Sequence, residues 1–198
     1  MNKKVLFGMF GLAAGSLMAD SATTTTINPW VAIKGGYVFK AKRENVKFKG
    51  GYNGLVEAGL SYDQWRVAME VGMRQSKINE GKTTNNLIKE AYNKLNALSG
   101  MINVYYDYAL TDECSLYLGL GAGIAKVSFV TKNANKVETG KTVFAWQAMA
   151  GVSYDINENW TVIAGYRLFN TAKIKLAENN KVKMPFASSL ELGLQYNF

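Results

Sequence analysis

Apolar and polar residues alternate with a period of two along most of this 198-residue chain. In residues 65–74 one face carries only bulky apolar side chains, namely Trp65, Val67, Met69, Val71 and Met73. Residues 116–125 and 190–198 alternate in a similar way. Successive side chains of a β-strand point to opposite faces, so this alternation predicts strands with one apolar and one polar face. We therefore expect an all-β fold.

The same pattern marks eight candidate strands. They lie at about residues 30–40, 52–62, 65–76, 98–110, 115–127, 142–154, 160–169 and 186–198. Tight turns alternate with long connections around residues 41–51, 77–97, 128–141 and 170–185. Such alternation of connection lengths is typical of a barrel whose two ends face different compartments. The sequence predicts an eight-stranded antiparallel up-and-down β-barrel.

Alternation alone leaves open whether the apolar face lines a soluble, lipocalin-like core or faces lipid. Two features favour lipid. The polar faces combine charges of both signs with glycines, which is typical of a crowded barrel interior. Aromatic residues flank the short turns, where a membrane barrel carries its interfacial girdle; these are Tyr62, Trp65, Tyr108, Tyr154 and Trp160. We therefore predict a transmembrane barrel.

Charged residues at inward positions are expected to fill the barrel. The predicted interior network comprises Lys34, Glu57, Arg66, Glu70, Arg74, Asp107, Arg167 and Glu191. The alternative is that Glu57, Glu70 and Glu191 act as an acid and base pair. The neighbouring basic residues favour a structural, ion-paired filling instead.

Residues 1–19 predict a secretory signal peptide, with residues 20–198 forming the barrel domain. Lys3 and Lys4 precede a short apolar run, and Ala19 offers a small residue for cleavage. A transmembrane anchor is the alternative, but the run is shorter than the ~20 residues that a spanning helix needs. Export makes the single cysteine, Cys114, unusual. We expect an unpaired thiol, and an intermolecular link is the alternative.

Several segments resemble the small Gram-negative outer-membrane barrel superfamily, which includes the opacity proteins, surface antigens and outer-membrane protein A and X type barrels. The segments are residues 105–112 (YYDYALTD), 117–123 (YLGLGAG), 144–147, 150–154 and 164–167. The resemblance implies location in the outer membrane, contact with its lipid and lipopolysaccharide, and folding by the barrel-assembly machinery. Tyr196 and Phe198 would form the assembly signal. No peptidoglycan-binding domain is expected after the barrel.

Positive charge concentrates in and beside the four long connections, where seventeen basic and five acidic residues lie once Lys40 and Lys126 are counted. The predicted contacts to anionic surfaces are Lys40, Lys42, Arg43, Lys47, Lys49, Lys132, Lys136, Lys173, Lys175, Lys181 and Lys183. One interpretation is that these lysines neutralise lipopolysaccharide phosphates, which their dispersal favours. The other is adhesion to anionic host or abiotic surfaces, such as sulfated glycans. We expect a monomer and no nucleic-acid partner.

Histidine is absent, and no metal-ligand spacing or phosphate-binding loop occurs, so we expect no enzyme, metal or cofactor. The predicted function is envelope integrity, surface adhesion or both. The alternative is a small-conductance porin or channel, although an eight-stranded interior is just wide enough for its own side chains.

The second long connection has its own pattern. Leu87, Ile88, Ala91, Tyr92 and Leu95 recur at helical spacing. Residues 85–96 therefore predict a short amphipathic helix that caps the barrel or lies on the membrane surface. An ordinary loop cluster is the alternative.

Overall fold

The structure, a computed structural model, describes residues 27–39, 41–43, 46–78, 92–131, 137–172, 174–177, 180–182 and 186–198. Eleven strands occur in these ranges: β1 (Asn28–Val38), β2 (Ala41–Arg43), β3 (Val46–Tyr62), β4 (Trp65–Ile78), β5 (Tyr92–Ala109), β6 (Cys114–Thr131), β7 (Val137–Asp155), β8 (Trp160–Thr171), β9 (Ile174–Ala177), β10 (Asn180–Val182) and β11 (Ala187–Asn197). Within the same ranges, no helix is long and apolar enough to span a membrane.

Eight of these strands close into a barrel, in which each is antiparallel to its neighbours. The order is β1, β11, β8, β7, β6, β5, β4 and β3, and β1 also pairs with β3. The β1–β11 register runs from Trp30 opposite Asn197 to Val38 opposite Ser189. Closure leaves no unpaired barrel edge, which is the condition for a sheet to cross lipid. The predicted eight-stranded antiparallel barrel is confirmed.

The strands extend further than the sequence pattern predicted, and they do so at the end with the long connections. β3 begins at Val46, β5 at Tyr92 and β7 at Val137. These added residues do not alternate clearly between apolar and polar. Strands that leave the membrane band have water on both faces, so nothing imposes a two-residue hydrophobic period on them.

The predicted helix over residues 85–96 is wrong where the structure describes it. Residues 92–96 belong to β5, where Leu95 lies opposite Ser76 of β4 and Phe129 of β6. Residues 85–91 lie outside the described ranges. A short amphipathic helix is marginal in water, whereas the two neighbouring strands satisfy the backbone hydrogen bonds of this segment on both sides.

Tight turns close the opposite end of the barrel. Asp63, in the β3–β4 turn, has a positive φ of 51°, which aspartate tolerates better than most residues. The β5–β6 connection is held by the Leu110 amide donating to the Cys114 carbonyl at 2.8 Å. The Ile156 amide donates to the Trp160 carbonyl at 2.8 Å in the β7–β8 connection.

Each barrel strand has a buried inward face and an exposed outward face. On β8, Ile163 and Arg167 are buried, whereas Val162 and Tyr166 are exposed. Inward glycine makes room for large neighbours: a Cβ at Gly119 would lie 2.5 Å from the Tyr105 ring. The lumen is therefore filled by protein side chains, and the exposed outer face is largely apolar.

Two short hairpins extend the end with the long connections. β2 pairs with the start of β3, and β1 pairs with the rest of that strand. The two pairings have the same register. β9 and β10 form a separate two-stranded sheet between β8 and β11. We call this end of the molecule the rim.

Candidate functional site

Arg167 on β8 is the centre of an ion-pair network at mid-height in the lumen. Its Nη1 lies 2.6 Å from Glu70 Oε2, its Nε lies 2.9 Å from Glu191 Oε2, and its Nη2 lies 3.6 Å from Glu57 Oε1. One guanidinium thus joins carboxylates from β3, β4 and β11. A planar guanidinium with five donors is suited to this multiple pairing.

The position of Arg167 compensates an unfavourable strand register. Glu57 on β3 and Glu70 on β4 lie directly opposite each other. Like charges at such positions destabilise a strand pair. Arg167 reaches both carboxylates from the other side of the barrel, so the lumen itself supplies the missing positive charge.

Two further basic residues complete the central group. Lys34 Nζ lies 2.8 Å from Glu57 Oε2, and Arg74 Nη2 lies 3.5 Å from Glu70 Oε1. The Arg74 guanidinium also lies 4.0 Å from the centre of the Phe169 ring, which allows a cation–π contact. The Lys34, Glu57, Glu70, Arg74 and Arg167 side chains are all at least nine-tenths buried.

Polar side chains that the sequence reasoning missed surround these charges. Gln147 donates to Glu70 Oε2 at 3.0 Å, and so does Asn103. Tyr105 Oη donates to Glu57 Oε1 at 2.8 Å, and Ser189 Oγ donates to Glu191 Oε1 at 2.8 Å. Their inward strand positions were the available signal, because a polar residue buried in a barrel needs a hydrogen-bond partner.

A second ion pair lies nearer the short turns. Asp107 accepts two hydrogen bonds of 2.6 Å from the Arg66 guanidinium, and Gln195 Oε1 accepts a third at 3.0 Å. The same guanidinium lies 5.0 Å from the centre of the Tyr105 ring and 5.7 Å from that of Tyr117. This layer packs charge against aromatic rings and closes the lumen toward the short turns.

All eight residues of the predicted interior network thus belong to these two groups. Their charges balance, since four are basic and four are acidic. The network occupies the middle of the barrel without a net charge.

The outer surface carries an apolar band edged by aromatic residues. Large apolar side chains in the band are well exposed, among them Met69, Ile102 and Leu120 at 60–69%. The predicted girdle residues Tyr62, Trp65, Tyr108, Tyr154 and Trp160 are exposed beside the short turns. The Tyr196 ring contacts those of Trp160 and Phe198, with centroids 5.0 and 5.1 Å apart. Exposed apolar surface of this extent suits a hydrocarbon solvent.

The predicted basic contacts lie at the rim where the structure describes them. Lys42 and Arg43 are in β2, Lys47 and Lys49 in β3, Lys175 in β9 and Lys181 in β10. The remaining predicted contacts fall outside the described ranges; they are Lys40, Lys132, Lys136, Lys173 and Lys183.

The described part of the chain offers few features of a reaction centre. It contains no group of three or more Cys, Asp or Glu residues placed to hold a metal ion. An outer groove of about 510 Å³ is lined by apolar residues such as Leu118, Ala148 and Leu168, with Trp65 and Tyr166 at its sides. Such a lining suits hydrocarbon better than a polar substrate. Cys114 is a free thiol beside a short turn.

Solved structures of small barrels are similar to this chain. Neisserial surface protein A has a TM-score of 0.66 at 20% identity, over 86% of this chain and 97% of that one. Ail, the attachment invasion locus protein of Yersinia pestis, was crystallised with the heparin analogue sucrose octasulfate. It has a TM-score of 0.50 at 16% identity, over 86% of this chain and 99% of that one. At these identities the likeness shows the fold.

Sequence comparison adds the family. The outer membrane protein PagN of Salmonella typhimurium (strain LT2) is 28% identical over 96 residues. That match covers 44% of this chain and 40% of PagN, so the chain spans less than half of that protein. Residues 7–198 match the family described as "Outer membrane protein beta-barrel domain". The chain belongs to this family and is a small β-barrel of the Gram-negative outer membrane.

Proposed function

We propose that this barrel is a non-enzymatic surface adhesin whose basic rim binds polyanions such as sulfated glycans. The observation that carries the proposal is the separation of charge. The lumen pairs four basic with four acidic residues, whereas the long connections, counted with Lys40 and Lys126 beside them, hold twelve more basic than acidic residues. Positive charge at the rim is therefore not cancelled within the barrel, and such a field attracts polyanions.

The placement of the basic residues supports the proposal. β2, β3, β9 and β10 hold six of them in strands at the rim. Basic residues in paired strands have less freedom to lose on binding than residues in a flexible chain, which favours a defined contact. Ail, a protein of the same fold, binds a polysulfated heparin analogue and so suggests the first ligand to test.

A role in envelope integrity is a second candidate, favoured by one pair of lysines. Lys77 of β4 lies opposite Lys94 of β5 in the strand register, toward the end of the barrel with the long connections. Basic residues close to the membrane surface can neutralise lipopolysaccharide phosphates. The two roles use different residues and are compatible.

The lumen argues against a conducting pore. Glu57, Glu70 and Arg167 are each 1% exposed, and Asn103 and Gln147 are fully buried. These side chains contact one another across the barrel, so an ion would have to displace ion pairs to pass. We therefore favour a closed barrel over the channel alternative.

Heparin binding of the folded barrel in nanodiscs tests the adhesin proposal. Wild-type protein is expected to bind immobilised heparin at low ionic strength and to lose most of that binding in about 0.5 M salt, because salt screens charges beyond a few ångströms. A variant with the rim lysines changed to glutamine should not bind. Its matched control carries arginine at the same positions and should bind. Equal binding at low and high salt would refute electrostatic adhesion.

A further inference from the structure

Among the outward-facing side chains of the barrel wall that the structure describes, Lys126 on β6 is the only charged one. Exposure alternates along this strand: Ile124 and Lys126 are exposed, whereas Val127 is buried. The Lys126 side chain therefore belongs to the outer surface. Its partners in the register are Leu98 of β5 and Thr142 of β7, neither of which is acidic. A charge at a lipid-facing surface is stabilised by water or by an anionic group of the lipid.

Lys126 lies at the edge of the apolar band that faces the rim. Ten residues separate it from Leu116, at the short-turn end of the same strand. On β7, ten residues likewise separate the girdle residue Tyr154 from the exposed Phe144. Ten residues of a strand tilted by about 40° span a height of about 25 Å, which is the height of the apolar band in such barrels. The position of Lys126 is therefore level with the lipid head groups on the rim side.

A second outer groove, of about 620 Å³, begins just below this lysine. It crosses the outward faces of β6, β5, β4, β3 and β1, and its lining includes Ile124, Ala122, Gly100, Met69 and Val31. Ile124 is the next outward residue of β6 on the short-turn side of the lysine. Gly100 leaves the groove open, because a Cβ added there would meet no atom within 4 Å. The groove therefore offers an apolar channel that leads away from a single positive charge.

The groove is inclined to the plane of the membrane. One row of its lining aligns Ala58 of β3 with Met69 of β4, Ile102 of β5 and Ala122 of β6. Ala58 lies four residues from the short-turn end of β3, whereas Ala122 lies eight residues from that end of β6. The row thus rises toward the rim, and its highest end lies beside Lys126. Four strand spacings, from β1 to β6, give the groove a length of about 19 Å.

This combination fits a phosphorylated lipid better than bulk hydrocarbon. A phosphate oxygen can accept a charge-assisted hydrogen bond from the Lys126 ammonium group at the upper end. An acyl chain of one leaflet extends through about 15 Å, half of the hydrocarbon core, so it can follow most of the groove. The long connections of such barrels face the outside of the cell. The lipid of that leaflet is lipid A, the phosphorylated and acylated anchor of lipopolysaccharide.

We propose that Lys126 and the inclined groove form a binding site for one lipid A molecule, with a phosphate at the ammonium group and an acyl chain over Gly100. This inference rests on the envelope role proposed above, to which it gives a defined site, and it does not depend on adhesion. The groove of about 510 Å³ differs at the corresponding place. The next outward residue beyond its Leu168 is Asn170, which is uncharged.

Filling the groove tests the acyl-chain contact. Gly100→Leu adds a side chain inside it, and Gly54→Leu adds the same group at an exposed position of β3 outside its lining. Neither added Cβ would meet an atom within 4 Å, so both variants are expected to fold. The folded protein in neutral detergent is titrated with purified lipid A, and native mass spectrometry counts the lipid retained. Gly100→Leu should weaken retention roughly tenfold, because the chain loses buried contact, and Gly54→Leu less than about twofold.

Changing the lysine tests the phosphate contact. Lys126→Gln is expected to weaken retention of lipid A roughly tenfold, whereas Lys126→Arg keeps the charge and should retain it. Dephosphorylated lipid A should bind the wild type and Lys126→Gln equally. A tenfold difference between the two proteins with this phosphate-free lipid would overturn the phosphate contact. The circular dichroism of each variant verifies that the barrel has folded.

The outcomes separate the site from the role on which it rests. If the wild type retains lipid A but Gly100→Leu and Lys126→Gln retain it equally well, the site is wrong and the envelope role stands. Equal losses in Gly100→Leu and Gly54→Leu would overturn the groove as the place of the acyl chain. Failure of the wild type to retain lipid A would overturn both the site and the envelope role. Phosphatidylglycerol is the last arm: retention as strong as that of lipid A would overturn the assignment to lipid A.

Discussion

A pair of like charges directly opposite each other in the lumen can be compared with such a pair at the rim. Glu57 and Glu70 form the first pair, and Lys42 and Lys47 form the second. The lumen pair has its counter-charge built in, because Arg167 contacts both carboxylates from across the barrel. At the rim, the local sequence offers only Glu44. The same unfavourable register is thus compensated by a buried guanidinium in the lumen, whereas the rim register sets one basic residue opposite another.

Removing Arg167 from the lumen should lower the free energy of unfolding more than any other change considered below. Arg167→Met leaves Glu57, Glu70 and Glu191 buried without their shared partner. Loss of one member of a buried ion pair costs about 3–5 kcal/mol. We expect a decrease of that size in the free energy of unfolding, measured by urea titration in lipid vesicles.

The rim supplies the control for this experiment. Lys42→Met removes a charge from an already repulsive pair and should change the unfolding free energy by less than about 0.5 kcal/mol. A second variant tests the pairing itself: Arg167→Met/Glu70→Gln should lose less than the sum of its single changes. Additive losses in the double variant would show that Arg167 and Glu70 are not coupled. Equal losses from Arg167→Met and Lys42→Met would show that the lumen charge contributes no more to stability than the rim charge.

Glycine substitutions sharpen the contrast between the packed interior and the outer face. A Cβ at Gly151 would lie 2.7 Å from Gly165 Cα and would also meet the Ala164 carbonyl oxygen. Gly151→Ala must therefore displace backbone, and we expect a loss of about 2–3 kcal/mol. Gly100 has nothing within 4 Å of its added Cβ, so Gly100→Ala should be neutral or stabilising by up to about 1 kcal/mol. Urea midpoints measure both, and similar values for the two would contradict a close-packed lumen.

Two tyrosines allow one substitution to be compared in both environments. The buried Tyr105 donates its hydroxyl hydrogen to Glu57, and the exposed Tyr154 donates to Glu113 at 2.9 Å. Tyr105→Phe should cost about 1.5 kcal/mol, because a buried carboxylate loses a hydrogen bond. Tyr154→Phe should cost less than about 0.5 kcal/mol, since water replaces the hydroxyl. If thermal melting ranks the two variants in the reverse order, burial does not determine the strength of these bonds.

The sequence predicts the faces of this barrel better than the contacts within it. Alternation around Met69 and Leu118 is sufficient to assign strand faces, because one face must be apolar and the other must fill the lumen. It does not indicate that Arg167 meets Glu70, because contacts across the barrel depend on the stagger between strands. Asn103 and Gln147 were missed for the same reason. The alternation shows that their amide side chains point inward, but it does not show which residues they contact.

The rim illustrates a different limit of sequence reasoning. The basic residues of the long connections are visible as composition, but the pairing of Lys42 with Lys47 emerges only from the register of β2 with β3. Beyond the membrane band the hydrophobic period disappears, and with it the signal that would mark the ends of the strands. The same loss explains why β3 and β5 begin before the segments that the pattern predicts.

The pairing of β1 with β11 has a consequence for the folding rate. Residues near opposite ends of the described chain, such as Trp30 and Asn197, become neighbours only when the sheet closes. Contacts between residues so distant in sequence slow folding, since the chain must be restrained before they form. Until then both terminal strands expose open edges, which attract other chains. Closure is therefore the step at which folding of this barrel competes most directly with aggregation.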